Sequence, residues 1–188
     1  MTQRKLKLTL WPTLFTIPAL LVLVGLGTWQ LQRMQWKSEI IDTFEERISD
    51  KAVAPPLKVT NIEKWRFKRV ALMGKFMHQH EFAITGKTFE GTAGFHLVTP
   101  LQSTDGKITL INRGWIPERL RHRKTRPETL TEGSVVVEGI IREDKKKGYF
   151  VPENEPQNDV WLYINAEQMA AKSRVGPIAN YYLSLIHI

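Results

Sequence analysis

A long uncharged run near the N-terminus limits what this chain can fold into. No side chain between Lys7 and Arg33 carries a charge, so positions 8 to 32 form a neutral run of 25 residues. A helix needs about 20 residues to cross the roughly 30 Å hydrocarbon layer of a bilayer. The centre of the run, from Pro18 to Gly27, is apolar on every side, which suits lipid better than water. The sequence therefore predicts a transmembrane helix over residues 8–31.

A cleaved signal peptide is the alternative for this run. Such peptides have an apolar region of only about 7 to 15 residues that ends at a small-x-small cleavage site. Here the run is longer and ends in Gly27-Thr28-Trp29-Gln30, which favours an uncleaved anchor. Arg4, Lys5 and Lys7 precede the run, so the positive-inside rule predicts a cytoplasmic tail over residues 1–7. The main domain is then extracytoplasmic, anchored in the inner (plasma) membrane.

Helical periodicity continues beyond the predicted span. Apolar side chains recur every fourth residue and charged residues fill the intervals, the apolar positions being Trp36, Ile40, Phe44 and Ile48. This pattern predicts an amphipathic helix over residues 32–50. Pro55 and Pro56 cannot continue a helix, so residues 51–56 are predicted to be a linker.

The pattern after the linker changes to short runs rich in β-forming residues, which predicts an extracytoplasmic β domain over residues 57–182. Thr104-Asp105-Gly106 is a hairpin signal, and Ala166–Lys172 is typical of a short helix. The predicted fold class is membrane-anchored α+β, with a mainly antiparallel β sandwich or barrel and a short helix. The predicted strands are Trp65–Met73, Glu81–Thr85, Phe95–Leu101, Lys107–Asn112, Ser134–Ile141 and Val160–Ile164.

Composition excludes several classes of function. The absence of cysteine rules out disulfides, thiolate nucleophiles and cysteine-ligated clusters. The net charge of +8 suits either nucleic acid or an anionic membrane surface. The basic runs Arg119–Arg126 and Lys145–Lys147 lie in polar connecting segments without interleaved aromatic residues that would stack on bases. We therefore predict solvated loops that face anionic lipid or an acidic partner, and no nucleic-acid partner.

Candidate chemical motifs are weak. Gly86-Lys87-Thr88 resembles the tail of a phosphate-binding loop, but Glu81 stands where that loop needs glycine. His78 and His80 would share one face of a strand and could chelate a metal, yet no further ligands are evident, and surface histidines near a turn are the favoured interpretation. No nucleophile elbow is present. The sequence therefore predicts neither catalytic residues nor a metal site.

The most conspicuous polar cluster is Asn112-Arg113-Gly114-Trp115-Ile116-Pro117, at the end of a predicted strand. The glycine allows a tight or positive-φ backbone, the indole can cover the turn, and the proline stops the strand. By themselves these residues predict only how the strand ends and how the backbone turns there.

Several segments together resemble the surfeit locus protein 1 family of cytochrome oxidase assembly factors, from Leu26 to about Tyr182. One lies at the exit of the first membrane helix, and the others occur in family order along the domain. They are Leu26–Lys37, Arg69–Phe76, Gly94–Leu101, Asn112–Pro117, Val137–Arg142 and Phe150–Pro156, followed by Asn158 and Trp161. Asn165 stands where the family usually has an acidic residue.

This resemblance implies a role in maturing haem-copper cytochrome c oxidase. The implied activity is delivery of haem A to subunit I, or its insertion there, by an assembly factor or haem chaperone rather than by an enzyme. The implied partners are subunit I, other assembly factors and membrane lipid.

The resemblance also implies a second membrane helix after the domain, which carries the family's haem-ligating histidine. Residues 183–188 are too few to form it, so they are interpreted as a truncated or non-native end. The haem-ligand role is not carried onto His187.

The residues that carry the resemblance are candidates for interaction, and they are Trp29, Gln30, Arg33, Trp36, Lys37, Asn112, Arg113, Gly114, Trp115 and Pro117. For the helical residues, packing at the membrane interface competes with docking of an oxidase subunit. Arg113 could pair with a haem propionate or with a carboxylate of its own domain. A membrane-tethered periplasmic ligand-binding module or enzyme on the same β domain remains the alternative function.

Overall fold

The computed structural model describes residues 10–56, 58–143 and 150–185. The chain divides into two units, one ending at Glu45 and the other beginning at Glu46, and each is described by itself. The predicted cytoplasmic tail, residues 1–7, lies outside the described residues.

One helix, α1 (Leu10–Ser49), accounts for the first unit and the start of the second. It continues through Pro18, and the described apolar side chains of its first half are exposed, including Leu14, Leu21 and Val24. By length and composition, α1 is the one helix among the described residues that could cross a membrane. These features support membrane anchoring. The predicted span and amphipathic helix are therefore parts of one continuous helix, which ends one residue before Asp50.

The predicted linker is tied to the β domain. Val53 donates its N–H to the Arg69 carbonyl and accepts from the Ala71 N–H, both at 3.1 Å. The Tyr181 hydroxyl donates to the Pro56 carbonyl at 2.8 Å. The segment after Ser49 is therefore held against the first and last strands of the domain.

A short helix, α2 (Ile62–Trp65), replaces the start of the first predicted strand. The Asn61 side chain accepts from the Lys64 N–H at 3.2 Å and so caps this turn. Phe67 then adopts a positive φ of 64°, which ends the turn and redirects the chain into the sheet. The first strand begins at Arg69 because this local hydrogen bonding competes with extended structure.

Six strands form one sheet that closes into a barrel. The strands are β1 (Arg69–Phe76), β2 (Phe82–Phe89), β3 (Thr92–Ser103), β4 (Ile108–Pro117), β5 (Val135–Glu143) and β6 (Ile178–Leu185). Their order is β1-β5-β6-β4-β3-β2, and β1 also pairs with β3 through Gly74–Phe76 and Leu101–Ser103. All pairings are antiparallel except β4 with β6. The prediction of a mainly antiparallel sandwich or barrel is therefore confirmed as a barrel, with β2 added beside β3.

Two predictions about the C-terminal part are wrong. Val160–Ile164 makes only isolated bridges, Glu155 with Val160 and Ile84 with Trp161, so it does not form a regular strand. The predicted end of the domain at 182 falls inside β6. Leu183 is fully buried opposite Ile111 and Ile141, so residues 183–185 are part of the core sheet. Residues 186–188, including His187, lie outside the described residues.

Both faces of the sheet bury apolar side chains because strand residues alternate between faces. The barrel interior holds Val70, Leu72, Ile111, Ile141 and Leu183. The outer face is covered by α3 (Ala166–Ser173) and the segment before it, which bury a second cluster that includes Ile84, Leu110, Trp161, Met169 and Tyr182. The predicted short helix is confirmed, and Asn165 caps it by accepting from the Gln168 N–H at 2.9 Å.

Candidate functional site

The Asn112–Pro117 cluster contains a β-bulge in β4. His96 pairs with Trp115 and Val98 with Asn112, so two residues of β4, Arg113 and Gly114, lie opposite one residue of β3. Gly114 has a φ of 101°, which residues other than glycine rarely adopt. Of the tight and positive-φ backbones that this glycine was predicted to allow, the chain adopts the positive φ, and the bulge changes the direction of the side chains on either side of it.

The Asn112 side chain is buried and fixed at both ends. Its Oδ1 accepts from the Gly114 N–H at 3.0 Å, which orients the amide so that Nδ2 faces His96. Nδ2 lies 3.1 Å from His96 Nδ1. Because an amide nitrogen can only donate, Nδ2 is the donor of this hydrogen bond. Both residues line an outer-face cleft of about 690 Å³ together with Lys87, Arg142 and Tyr163.

Trp115 lies over the backbone of β3. A Cβ placed on Gly94 would be 2.6 Å from two atoms of the indole and 2.2 Å from the Ile116 carbonyl oxygen, so only glycine fits there. The Phe89 ring lies 5.5 Å from the indole, and Pro117 pairs with Gly94 at the end of the strand. Trp115 Nε1 is buried and has no hydrogen-bond partner among the described residues. The strand β4 ends at Pro117, as predicted for this proline, and the indole covers the β3 backbone at Gly94.

Arg113 points to the other face and joins a buried charge cluster that includes Glu81 and Arg126. Its Nη1 lies 3.8 Å from Glu81 Oε2, its Nη2 donates to the Thr129 carbonyl, and its guanidinium lies 4.9 Å from the Phe76 ring centre. Burial lowers the pKa of the Arg113 guanidinium, and the nearby Glu81 carboxylate partly opposes this change. The domain carboxylate nearest to Arg113 is that of Glu81.

Arg126 is the residue that sequence reasoning missed. It is fully buried, and it binds both oxygens of Glu81 through Nη2 and Nη1. It also donates from Nε to the Leu120 carbonyl at 2.8 Å and from Nη1 to the Thr129 hydroxyl at 3.1 Å. The prediction of a solvated loop for Arg119–Arg126 is therefore wrong for its last residue. A carboxylate 45 positions earlier in the chain holds Arg126 inside the domain, and nothing local in the sequence signals that pairing.

The interaction candidates on α1 share an exposed surface. The Arg33 guanidinium lies 5.5 Å from the Trp29 ring centre, one helical turn away, as a cation–π contact. Trp36 and Lys37 follow Arg33 by three and four residues and therefore lie on the same side of the helix. Gln30 precedes Arg33 by three residues and is also exposed. These five residues belong to the first unit, whereas the Asn112–Pro117 cluster belongs to the second.

The two histidines considered as metal ligands lie near a turn. His78 and His80 lie in a 3-10 turn rather than on a strand, and His78 Nε2 lies 3.0 Å from the Thr131 carbonyl. Within residues 10–56, 58–143 and 150–185, no three His, Cys, Asp or Glu side chains lie close enough together to hold a metal ion.

The family-like segment that ends in Asn158 and Trp161 is a structural loop. The buried Asn154 side chain accepts from the backbone N–H groups of Leu162 and Tyr163, at 2.8 and 3.2 Å, and donates to Gln168 Oε1 at 2.8 Å. Trp161 is fully buried edge-on to Phe82, with ring centres 5.0 Å apart. These contacts hold the segment against β2 and α3.

A family model and three similar known proteins carry the same family name. The model of the SURF1 family matches residues 17–187. A SURF1-like protein from Monosiga brevicollis is 33% identical over 180 residues, covering 90% of this chain and 68% of the relative. A SURF1-like protein from Caenorhabditis briggsae is 32% identical, covering 82% and 56%. Surfeit locus protein 1 from Homo sapiens is 32% identical, covering 82% and 57%. The chain thus spans little more than half the length of the last two relatives.

Proposed function

Because the chain belongs to the SURF1 family, matched over residues 17–187, we propose that it is an assembly factor for haem-copper cytochrome c oxidase. The family match is the observation that carries this proposal. The helix α1, long and apolar enough to cross a bilayer, supports a role beside a membrane-embedded respiratory complex. Subunit I, other assembly factors and membrane lipid are the proposed partners.

The proposed location is the inner (plasma) membrane, with the β domain on the extracytoplasmic side. Arg4, Lys5 and Lys7 precede the apolar run, and basic residues beside a span favour the cytoplasmic side. The first unit would then carry its interaction candidates out of the bilayer toward the domain side of the membrane.

The proposed activity is assistance rather than catalysis. Two buried titratable side chains, Glu81 and Arg126, are paired with each other, and Arg126 also donates to the Leu120 carbonyl. Buried ion pairs of this kind hold loops in place, and a general acid or base would instead need access to a substrate. These contacts support an assembly factor or haem chaperone over an enzyme.

Oxidase assembly is tested by deleting the gene in its own organism and returning wild-type or variant copies. We expect deletion to lower subunit I and the haem a absorption of membranes, and the wild-type gene to restore both. Trp36→Ala is the informative variant, and Ile41→Ala is its matched control, since both side chains are more than half exposed on α1. Normal oxidase levels in the deletion strain would contradict the proposal. Equal effects of the two variants at equal protein levels would contradict only the interaction role of Trp36.

Delivery of haem A is a separate, finer proposal. The resemblance places the haem-ligating histidine in a second helix, so we expect haem binding by the form extended through that helix and none by residues 1–188. The measurement is a haem titration in detergent that follows the Soret band of both forms. Absence of binding by either form would overturn haem delivery. The oxidase-assembly proposal would then be judged by the deletion strain alone.

A further inference from the structure

A cleft of about 520 Å³ opens at one end of the barrel. Its apolar wall is formed where three strands end or begin, by Phe76 of β1, Val135 and Val137 of β5, and Leu185 of β6. Phe76 and Val137 belong to the buried interior, and Val135 and Leu185 pack against it. Arg113 lines the same cleft. Barrel mouths with a few polar groups in an apolar surround are common ligand sites, and the volume falls within the usual range.

The charges around this cleft do not balance. The cluster beneath it contains two guanidinium groups, of Arg113 and Arg126, and one carboxylate, of Glu81. Arg126 binds both oxygens of that carboxylate. Arg113 is left 3.8 Å from it, and Arg113 Nη1 is buried without a hydrogen-bond partner in the described part of the chain. A buried cation with so little compensation is costly unless a further anion comes close.

The other carboxylate that lines the cleft is already engaged. Glu138 Oε2 accepts two hydrogen bonds from Arg69, from Nε at 3.1 Å and from Nη2 at 2.7 Å. Arg113 is otherwise held by the Thr129 carbonyl and the Phe76 ring, which are neutral. Among the described lining residues, therefore, no carboxylate is left to neutralise Arg113.

We propose that the barrel-mouth cleft binds a small apolar carboxylic acid, with its carboxylate at Arg113 and its apolar body against Phe76, Val135 and Leu185. The unbalanced guanidinium selects the anion, and the valine and leucine side chains select an apolar body over a hydrated one. This site is independent of the proposed role in oxidase assembly and of any haem ligand in a second membrane helix.

The test is calorimetric titration of the full chain in zwitterionic nanodiscs with hexanoate, acetate and hexan-1-ol. Hexanoate has both a carboxylate and an apolar body. Acetate lacks the apolar body, and hexan-1-ol lacks the carboxylate. We expect one hexanoate per chain, bound at least about tenfold more tightly than acetate or hexan-1-ol, since a charge-assisted hydrogen bond is worth a factor of this order. Equal binding of hexanoate and hexan-1-ol, or no hexanoate binding at millimolar concentration, would overturn the proposal.

Two variants locate the site. Arg113→Gln removes the cation and should weaken hexanoate binding at least about tenfold. Arg121→Gln is the matched control, because this exposed arginine also lies over a ring, 5.2 Å from the centre of Phe95, and it should bind hexanoate like the wild type. If Arg113→Gln does not fold, Val135→Trp keeps the charge cluster and fills the cleft instead. Unchanged hexanoate affinity in Arg113→Gln or in Val135→Trp would refute the assignment.

Discussion

The buried carboxylate of Glu81 should contribute more to the stability of the domain than any surface ion pair. Its side chain is 6% exposed, and that of its main partner, Arg126, is 0% exposed. Thr99 also donates its hydroxyl to Glu81 Oε2, at 3.3 Å. Glu81→Gln keeps the shape but leaves the buried Arg126 without a counter-charge and removes the carboxylate nearest to Arg113. Removing one partner of a buried pair costs about 3–5 kcal/mol, so we expect a loss of that size.

The assay is urea unfolding of the full chain in mild detergent, followed by near-ultraviolet circular dichroism. Glu138→Gln is the matched control, because that carboxylate is 45% exposed and pairs with Arg69 at the surface. Exposed pairs contribute about 0.2–1 kcal/mol, so the control should change little. Adding Arg126→Met to Glu81→Gln removes one unpaired charge and should recover part of the loss. If Glu81→Gln cost no more than Glu138→Gln, the cluster would not be a buried ion pair that the domain depends on.

Two further predictions concern the loops. Asn154→Ala should cost about 2–4 kcal/mol in the same urea assay, because it leaves buried backbone donors such as the Tyr163 N–H unpaired, whereas Asn158→Ala, at an exposed position, should cost less than about 1 kcal/mol. Similar losses for both variants would contradict the structural role of Asn154. Hydrogen bonds from Lys107 and Ser103 lower the pKa of Asp105 to about 2. Its stabilising contribution is therefore present above pH 3.8, the ordinary value, and is lost as the pH falls through about 2. An NMR titration should find this midpoint, and Lys107→Ala should raise it toward 3.8; an unchanged midpoint in that variant would refute the cause given.

Local signals explain which elements could be predicted. The uncharged run, the Asp-Gly turn and the helical segment Ala166–Lys172 are each signals contained in one continuous stretch of sequence, and each gave the correct element. The strand β6 was missed because the buried Tyr182 stands between Asn180 and Ser184 and interrupts the polar alternation that would mark a solvent face. β6 lies in the middle of the sheet, and both of its sides bury apolar side chains. Val160–Ile164 has strand-like composition, but Asn154 binds its backbone and prevents regular pairing.

The candidate site also has some features that follow from local sequence and one that depends on a distant residue. The positive φ of Gly114 and the end of β4 at Pro117 follow from the chemistry of those residues. The burial of Arg126 depends on Glu81, which is distant in sequence, and a run of arginines and lysines otherwise indicates a solvated surface. Long-range pairing of this kind cannot be derived from one sequence.

The position of β6 in the sheet has a consequence for biosynthesis. This strand comes last among the six, yet it lies between β4 and β5 and pairs with both. A nascent chain that has not yet emerged as far as Ile178 holds two unsatisfied strand edges, which are prone to pair with other chains. Long-range strand pairing is also slow to form. Elongating polypeptides of this protein should therefore depend on holding chaperones until the final strand inserts, and premature stop codons before Ile178 should yield aggregates rather than a smaller folded domain.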